Sequence, residues 1–214
     1  MTAIRICFVG DSVTLGTGDI TAQGWPGRLT AIEGMINEHD IACYNLGIRA
    51  NTSTQIRTRW VGECEQRLPD HVDGRYIFMF GLNDMALENT GAIRISTEES
   101  IDNARAIMTQ AKAQKPTLWL GPTPVRRDGP IISPGKSVTY TFDAGRTKAL
   151  SGEYAKVAAE LEIPYFDMHT VFDGTTGWVQ TLDEGDGVHP TGAGYQLIAN
   201  ALTSWAPWRS WLDV

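Results

Sequence analysis

The sequence has no run of lysine and arginine and no long hydrophobic stretch. Among its 214 residues there are 18 Lys or Arg against 25 Asp or Glu, a formal net charge of −7. An acidic chain without a basic cluster is a poor partner for nucleic acid or an anionic membrane, which are bound by neutralising phosphates. Nothing approaches the roughly 18 consecutive apolar residues of a membrane-spanning helix. Cysteine is scarce: Cys7, Cys43 and Cys64 are odd in number and form neither a CxxC pair nor a zinc spacing. Cys7 and Cys43 lie in apolar runs, where a cysteine acts as a small buried hydrophobe. Met1-Thr2-Ala3 leads straight into Ile4–Val9, too short for the apolar core of a signal peptide. A reduced, cytoplasmic protein fits these features. No repeat, linker or low-complexity tract divides the chain, so residues 1–214 read as one domain.

What is present is a regular alternation. Short apolar runs recur at Ile4–Val9, Ile41–Leu46, Tyr76–Phe80, Thr117–Leu120 and Ile163–Asp167. They are near-continuous rather than alternating, the pattern of strands buried on both faces. Helical patterns fill the intervals. Trp25–Glu38 carries Pro26 near its first position. Ser96 and Glu99 form a capping box ahead of Ile101, Ala104, Ile107, Met108 and Ala111. Leu150, Tyr154, Val157, Ala158 and Leu161 share one face, as do Tyr195, Ile198, Leu202 and Trp205. Ser53–Leu68 is a fainter helix. Strands alternating with helices imply a parallel sheet with helices on both faces. The expectation is an α/β, flavodoxin-like three-layer α/β/α sandwich with a five-stranded parallel sheet of order 2-1-3-4-5. Gly121–Tyr140 reads as a long loop with Pro122, Pro124, Pro130 and Pro134, a length associated with function.

Four segments carry candidate chemistry. The first strand ends in Gly10-Asp11-Ser12-Val13. A serine at the carboxyl end of such a strand is placed to act as a nucleophile. Alone, Ser12 reads more simply as a helix cap or turn residue. Near the other end lies Asp186-Gly187-Val188-His189-Pro190. Histidine titrates near neutrality and serves as a general base, and a carboxylate on its other nitrogen fixes the tautomer. Asp186, three residues earlier, is within reach. Pro190 holds His189 extended and could open the last helix. The chain has four histidines; His39 and His71 lie in polar stretches, and His169 follows the fifth strand with Asp167 two residues before it. The second strand ends in Asn45-Leu46-Gly47 and the third runs into Gly81-Leu82-Asn83-Asp84. In a 2-1-3 order these flank Ser12. The Gly47 N–H, the Asn83 amide and the Ser12 N–H would then form a three-donor oxyanion hole. Asp84 and Asp11 are read as structural carboxylates that satisfy turn backbone.

Taken in order, these four segments resemble the signature blocks of the SGNH (GDSL-type) hydrolases, over residues 10–190. The resemblance implies the same flavodoxin-like sandwich and esterase or lipase-like acyl hydrolysis without a cofactor or metal. Transferred position by position, it makes Ser12 the nucleophile, His189 the base and Asp186 its orienting acid, with Ser12, Gly47 and Asn83 at the oxyanion hole. Val13 stands where the family often has Leu. Ile48-Arg49-Ala50 stands where many members carry a Ser-Gly type sequence, which places Arg49 at the site. There is no G-x-S-x-G elbow of the α/β-hydrolase fold.

Other readings are a nucleotide- or phosphate-binding flavodoxin-like module using Gly10, Gly16 and Gly18, a metal-dependent hydrolase using Asp11, Asp186 and His189, and a non-catalytic interaction domain. Within the family, a lipase, lysophospholipase or thioesterase is the alternative to an esterase. The expected substrates are small soluble esters, because Met85–Ile95 and Gly121–Tyr140 show no extended apolar patch for a lipid surface. Arg49, Arg126 and Arg127 would favour a polar or anionic leaving group. Trp205, Trp208 and Trp211 form a stripe at helical spacing that is expected to pack on the core, with a homodimer contact as the alternative.

Overall fold

A computed structural model describes residues 3–37 and 40–212 of the chain. The central sheet has the order β2-β1-β3-β4-β7, all parallel. Its strands are β1 (Ile4–Gly10), β2 (Ile41–Gly47), β3 (Asp73–Met79), β4 (Thr117–Leu120) and β7 (Tyr165–Phe166). This is the expected 2-1-3-4-5 arrangement, its last strand renumbered because a two-stranded hairpin intervenes. The inner strands β1, β3 and β4 are buried almost throughout, as their continuous apolar runs require. The edge strand β2 differs: most of it is only half buried. The fifth run shrinks to Tyr165 and Phe166, which pair with Trp119 and Leu120 on one side.

Two apolar cores lie on opposite faces of the sheet, because alternate residues of each strand point to opposite sides. Ile6, Phe8, Ile77 and Leu118 face α2 (Gly24–Asn37), α8 (Gly192–Thr203) and α9 (Ala206–Leu212). Cys7, Val9, Phe78 and Trp119 face α3 (Ser53–Glu65), α4 (Thr97–Gln114) and α5 (Ala144–Glu160). Fully buried Trp60 sits edge-on to Tyr76 and Phe78 at 5.4 and 5.3 Å, the arrangement the ring quadrupoles favour. The tryptophan stripe packs on the first core; Trp208 is buried and donates to Glu33 of α2 at 2.9 Å. The cysteines are free thiols, Cys7 and Cys64 buried and Cys43 half-buried. Burial pushes the Cys43 thiol up to about 11, which keeps it unreactive.

The helices start largely where their caps predict. Ser96 caps α4 by accepting from the Glu99 N–H, but the Glu99 carboxylate takes the Thr54 hydroxyl at 3.0 Å instead of closing the box. Thr191 holds the N-cap position of α8 without a side-chain bond, so Pro190 precedes that helix and does not open it. Trp25–Glu38 corresponds to α2; Glu38 and His39 lie outside the described residues. Two short helices fall where the sequence pattern marks none, α6 (Met168–Phe172) and α7 (Thr176–Asp183), whereas α9 carries Trp208 and Trp211 of the tryptophan stripe. Gly121–Tyr140 is not one loop. It contains the antiparallel hairpin β5 (Ile131–Gly135) and β6 (Val138–Thr141). Leu87 pairs with Thr141 of β6 and with Ile93, so the segment after β3 extends that small sheet. Among the described residues no helix is long and apolar enough to cross a membrane.

Candidate active site

The register of β1 with its two neighbours sets the site. Gly10 pairs with Gly47 on one side and Met79 on the other, so β1, β2 and β3 end level. Ser12, the turn after Gly47 and Asn83 therefore meet at one carboxyl edge. Gly10 is a packing requirement: a Cβ there would lie 2.1 Å from Thr14 Oγ1 and 2.3 Å from the Met79 carbonyl.

Ser12 opens α1 (Ser12–Leu15), a single turn capped by Asp11, whose carboxylate accepts from the Val13 N–H at 2.9 Å. The loop before α8 brings His189 to it. Asp186 Oδ1 accepts from the N–H groups of Val188 and His189 at 3.0 and 2.7 Å, folding the loop around its own carboxylate. The imidazole Nδ1 lies 2.7 Å from Asp186 Oδ2, and Nε2 lies 2.8 Å from Ser12 Oγ. Burial pushes the Asp186 carboxyl up, but the His189 ring and the two backbone donors outweigh it and hold it at about 2. Asp186 is thus an acceptor at neutral pH, Nδ1 carries the proton, and Nε2 is left to accept from the serine hydroxyl. Such a relay can take the proton of Ser12 and stabilise the imidazolium that results.

Asn83 faces the same point. Its amide nitrogen donates to Asp11 Oδ2 at 3.1 Å, which leaves a second N–H for a ligand. Burial raises the Asp11 carboxyl to about 6; the Val13 N–H, His189 and Asn83 pull it partly back. Asp84 is structural: its oxygens accept from the Ser53 N–H at 2.8 Å and from Ser100 Oγ at 2.5 Å, and Ser100 meets the Tyr154 hydroxyl at 2.6 Å. This buried chain ties the turn that carries Asn83 to α3, α4 and α5.

The N–H of Gly47 is already engaged. It donates to Asn45 Oδ1 at 3.0 Å, and a Cβ at Gly47 would lie 2.2 Å from the Leu15 nitrogen. The glycine serves close packing of β2 on α1. Three residues later Ala50 takes the position at the pocket wall, in the left-handed region at φ 61°. Among the described residues nothing accepts the Ala50 N–H. The signal was the departure already noted in the sequence: Arg49-Ala50 replaces a Ser-Gly pair, and a glycine suits a left-handed backbone.

The cavity at Ser12 is small, about 20 Å³, and is lined by Arg49, Ala50, Asn83 and His189 together with Ile132, Pro134, Tyr140 and Phe142 from the hairpin region. Of the three arginines singled out in the sequence, only Arg49 borders it. Arg126 and Arg127 pair with Asp128 and Asp173, at 2.7 and 3.1 Å, around a separate hollow beside Trp178. His169 is buried away from Ser12; neither of its ring nitrogens has a partner, and burial holds its pKa down. Among the described residues no three His, Cys, Asp or Glu side chains gather as a metal site.

Residues 8–197 match the GDSL-like lipase/acylhydrolase family. Several solved structures share the fold. A lipase/acylhydrolase from Enterococcus faecalis superposes with a TM-score of 0.72 at 19% identity, over 96% of each chain. The esterase EstA from Pseudoalteromonas sp., solved with monoethylphosphonate as inhibitor, gives 0.69 at 18% identity, over 98% of this chain and 99% of its own. A mutant of Axe2, an acetyl-xylooligosaccharide esterase from Geobacillus, gives 0.68 at 18% identity, over 94% and 93%. No curated protein matches the sequence. With four ordered blocks, the fold and the family match in agreement, the chain belongs to the GDSL-like lipase/acylhydrolase family, as an enzyme that hydrolyses ester bonds.

Proposed function

We propose that the protein is a serine esterase acting on small soluble esters of short-chain acids. The observation that carries this reading is the unbroken relay Ser12 Oγ, His189 Nε2, His189 Nδ1, Asp186 Oδ2, at 2.8 and 2.7 Å. Ser12 Oγ attacks the ester carbonyl as His189 Nε2 takes its proton. Asp186 stabilises the imidazolium. The tetrahedral oxyanion receives hydrogen bonds from the Ser12 N–H, the free N–H of Asn83 and, in place of Gly47, the N–H of Ala50. The carbon–oxygen bond to the alcohol breaks, and the alcohol departs with the proton from His189. Water then attacks the acyl-enzyme as His189 takes its proton, and the proton returns to Ser12 as the acid leaves.

The short acyl preference follows from volume. A cavity of about 20 Å³ holds little more than one water-sized group, which suits an acetyl methyl and gives no tunnel for a long chain. Two observations on other proteins agree in kind: an esterase and an acetyl-xylooligosaccharide esterase share the fold.

The test has two arms. A phosphonate probe is expected to label Ser12 stoichiometrically, read by mass spectrometry of the peptide, with turnover surviving chelator. Label elsewhere, or none, refutes the nucleophile. Across aryl esters of increasing acyl length, kcat/KM is expected to be flat or to fall beyond about four carbons. A lipid or thioester enzyme with an acyl tunnel would instead gain three- to fourfold per carbon, at about 0.8 kcal/mol per methylene.

A further inference from the structure

Arg94 belongs to none of the four signature segments, yet it reaches both oxyanion-side turns. Its strip of chain is fixed by the extended hairpin sheet: the Arg94 N–H donates to the Ala86 carbonyl at 3.0 Å and the Ile95 N–H to the Asp84 carbonyl at 3.2 Å. From there the guanidinium makes three attachments to three separate segments. Nη2 donates to the Ala50 carbonyl at 2.9 Å. Nη1 makes a longer contact of 3.4 Å with Asn83 Oδ1. Its carbon lies 4.2 Å from the centroid of the Tyr140 ring on β6.

We propose that Arg94 is a positioning residue of the ester-hydrolysing reaction, locking the Asn83 amide and the Ala50 turn so that their N–H groups point at the oxyanion. This rests on the serine-esterase reading.

The lock on Asn83 is electrostatic and works from both ends. The amide oxygen meets a cation at Arg94, and the amide nitrogen meets the carboxylate of Asp11 at 3.1 Å. A flipped amide would set its NH₂ against the guanidinium and its carbonyl against the carboxylate, and both contacts would be repulsive. The rotamer that offers a donor to the substrate is therefore the stable one. At Ala50 the bond holds the carbonyl of a residue in the left-handed region, where alanine is strained and needs its surroundings to keep it there.

The third attachment explains how a cation can sit here without a salt bridge. Among the described residues no carboxylate forms a salt bridge with Arg94. The Asp84 carboxylate, held by Ser53 and Ser100, acts on the guanidinium through space without pairing with it. The Tyr140 face offsets part of the desolvation of the guanidinium while adding no negative charge. The guanidinium is thus held beside the Asn83 amide and the Ala50 carbonyl by hydrogen bonds and the ring, without a salt-bridge partner. Lysine could not reproduce this arrangement, because a single ammonium has no planar fork to span two carbonyl oxygens while stacking on a ring.

The experiment compares wild type, Arg94→Ala, Arg94→Lys and the distant surface variant Arg105→Ala on an aryl acetate. Arg94→Ala is expected to lose about 10- to 100-fold in kcat, the scale of a misplaced oxyanion donor, with KM within about threefold. Arg94→Lys should recover part of that loss, and Arg105→Ala should match wild type. Guanidinium chloride at a sub-denaturing concentration should raise kcat of Arg94→Ala and leave Asn83→Ala unchanged. Circular dichroism and melting temperature report folding; if the alanine variant unfolds, the lysine variant carries the test through its kcat and KM. A kcat within twofold of wild type, a loss confined to KM, or no rescue by guanidinium overturns the proposal while leaving an active wild type. A wild type with neither turnover nor a Ser12 adduct overturns the esterase reading, and this proposal falls with it.

Discussion

Asp11→Asn separates what the site costs in stability from what it gains in function. Asp11 is 1% exposed, and its carboxyl is raised from 3.8 to about 6, chiefly by burial. At about 1.4 kcal/mol per pH unit, this rise corresponds to about 3 kcal/mol. In the unfolded chain the carboxyl ionises near 3.8, whereas the folded protein retains its proton until about 6. The folded state binds more protons in that window, so the contribution of Asp11 to stability falls as pH rises through it. Asparagine has no charge to bury. The stability of Asp11→Asn relative to wild type should therefore increase by about 2 kcal/mol between about pH 4, where the unfolded carboxyl is already half ionised, and about pH 8; groups not coupled to Asp11 are common to both and cancel. Urea denaturation at the two pH values measures it, provided the slopes agree. Activity should move the other way. Asp11 serves Val13 with one oxygen and Asn83 with the other, and asparagine offers a single oxygen. Loss of either bond loosens the donor side, and kcat should fall about tenfold or more, equivalent to about 1.4 kcal/mol. A stability difference that stays flat with pH would refute the raised carboxyl. An unchanged kcat would refute the role of Asp11 in aiming Asn83.

Two further outcomes follow from the same geometry. Asn83→Ala should lower kcat by roughly 10²–10³ with little change in KM, since the lost donor acts on charge present only in the transition state; a loss seen in KM alone would make Asn83 a binding residue. Ala50→Gly should stabilise the fold by about 0.5–1 kcal/mol in urea denaturation, because the left-handed penalty of about 1–2 kcal/mol exceeds the entropy that glycine adds to the unfolded chain; a destabilised variant would show that φ 61° carries no strain.

The sheet was legible because burial on both faces writes itself as uninterrupted apolar runs. The strand order found is one of the few that right-handed crossovers leave, and the registers of Gly10 with Gly47 and Met79 then bring Ser12 and Asn83 to one edge. The bond from His189 to Asp186 was readable from spacing alone, since three residues close one turn. What escaped was the hairpin, the residue at the pocket wall and the contacts of Arg94. The hairpin carries Pro134 and mostly exposed residues, so it shows no alternation to mark it as strand. Gly47 was the visible glycine and Ala50 the one at the pocket wall, because a positive φ at an alanine leaves no trace in composition. Arg94 likewise has no local signature. Its partners Ala50, Asn83 and Tyr140 come from three distant parts of the chain.

The hairpin that walls the cavity is stapled at its base, where the Phe142 N–H donates to the Pro130 carbonyl at 3.0 Å. Its stems are thus held at fixed spacing whatever lies between them. Loop closure has already been met at the staple, so residues added at the hairpin tip, between Gly135 and Val138, cost the fold only a slowly growing entropy. In engineering terms the segment is a cassette: the wall of the cavity can be reshaped from one side by a local graft that keeps Tyr140, while Ser12, His189 and Asp186 stay anchored on elements that the graft does not include.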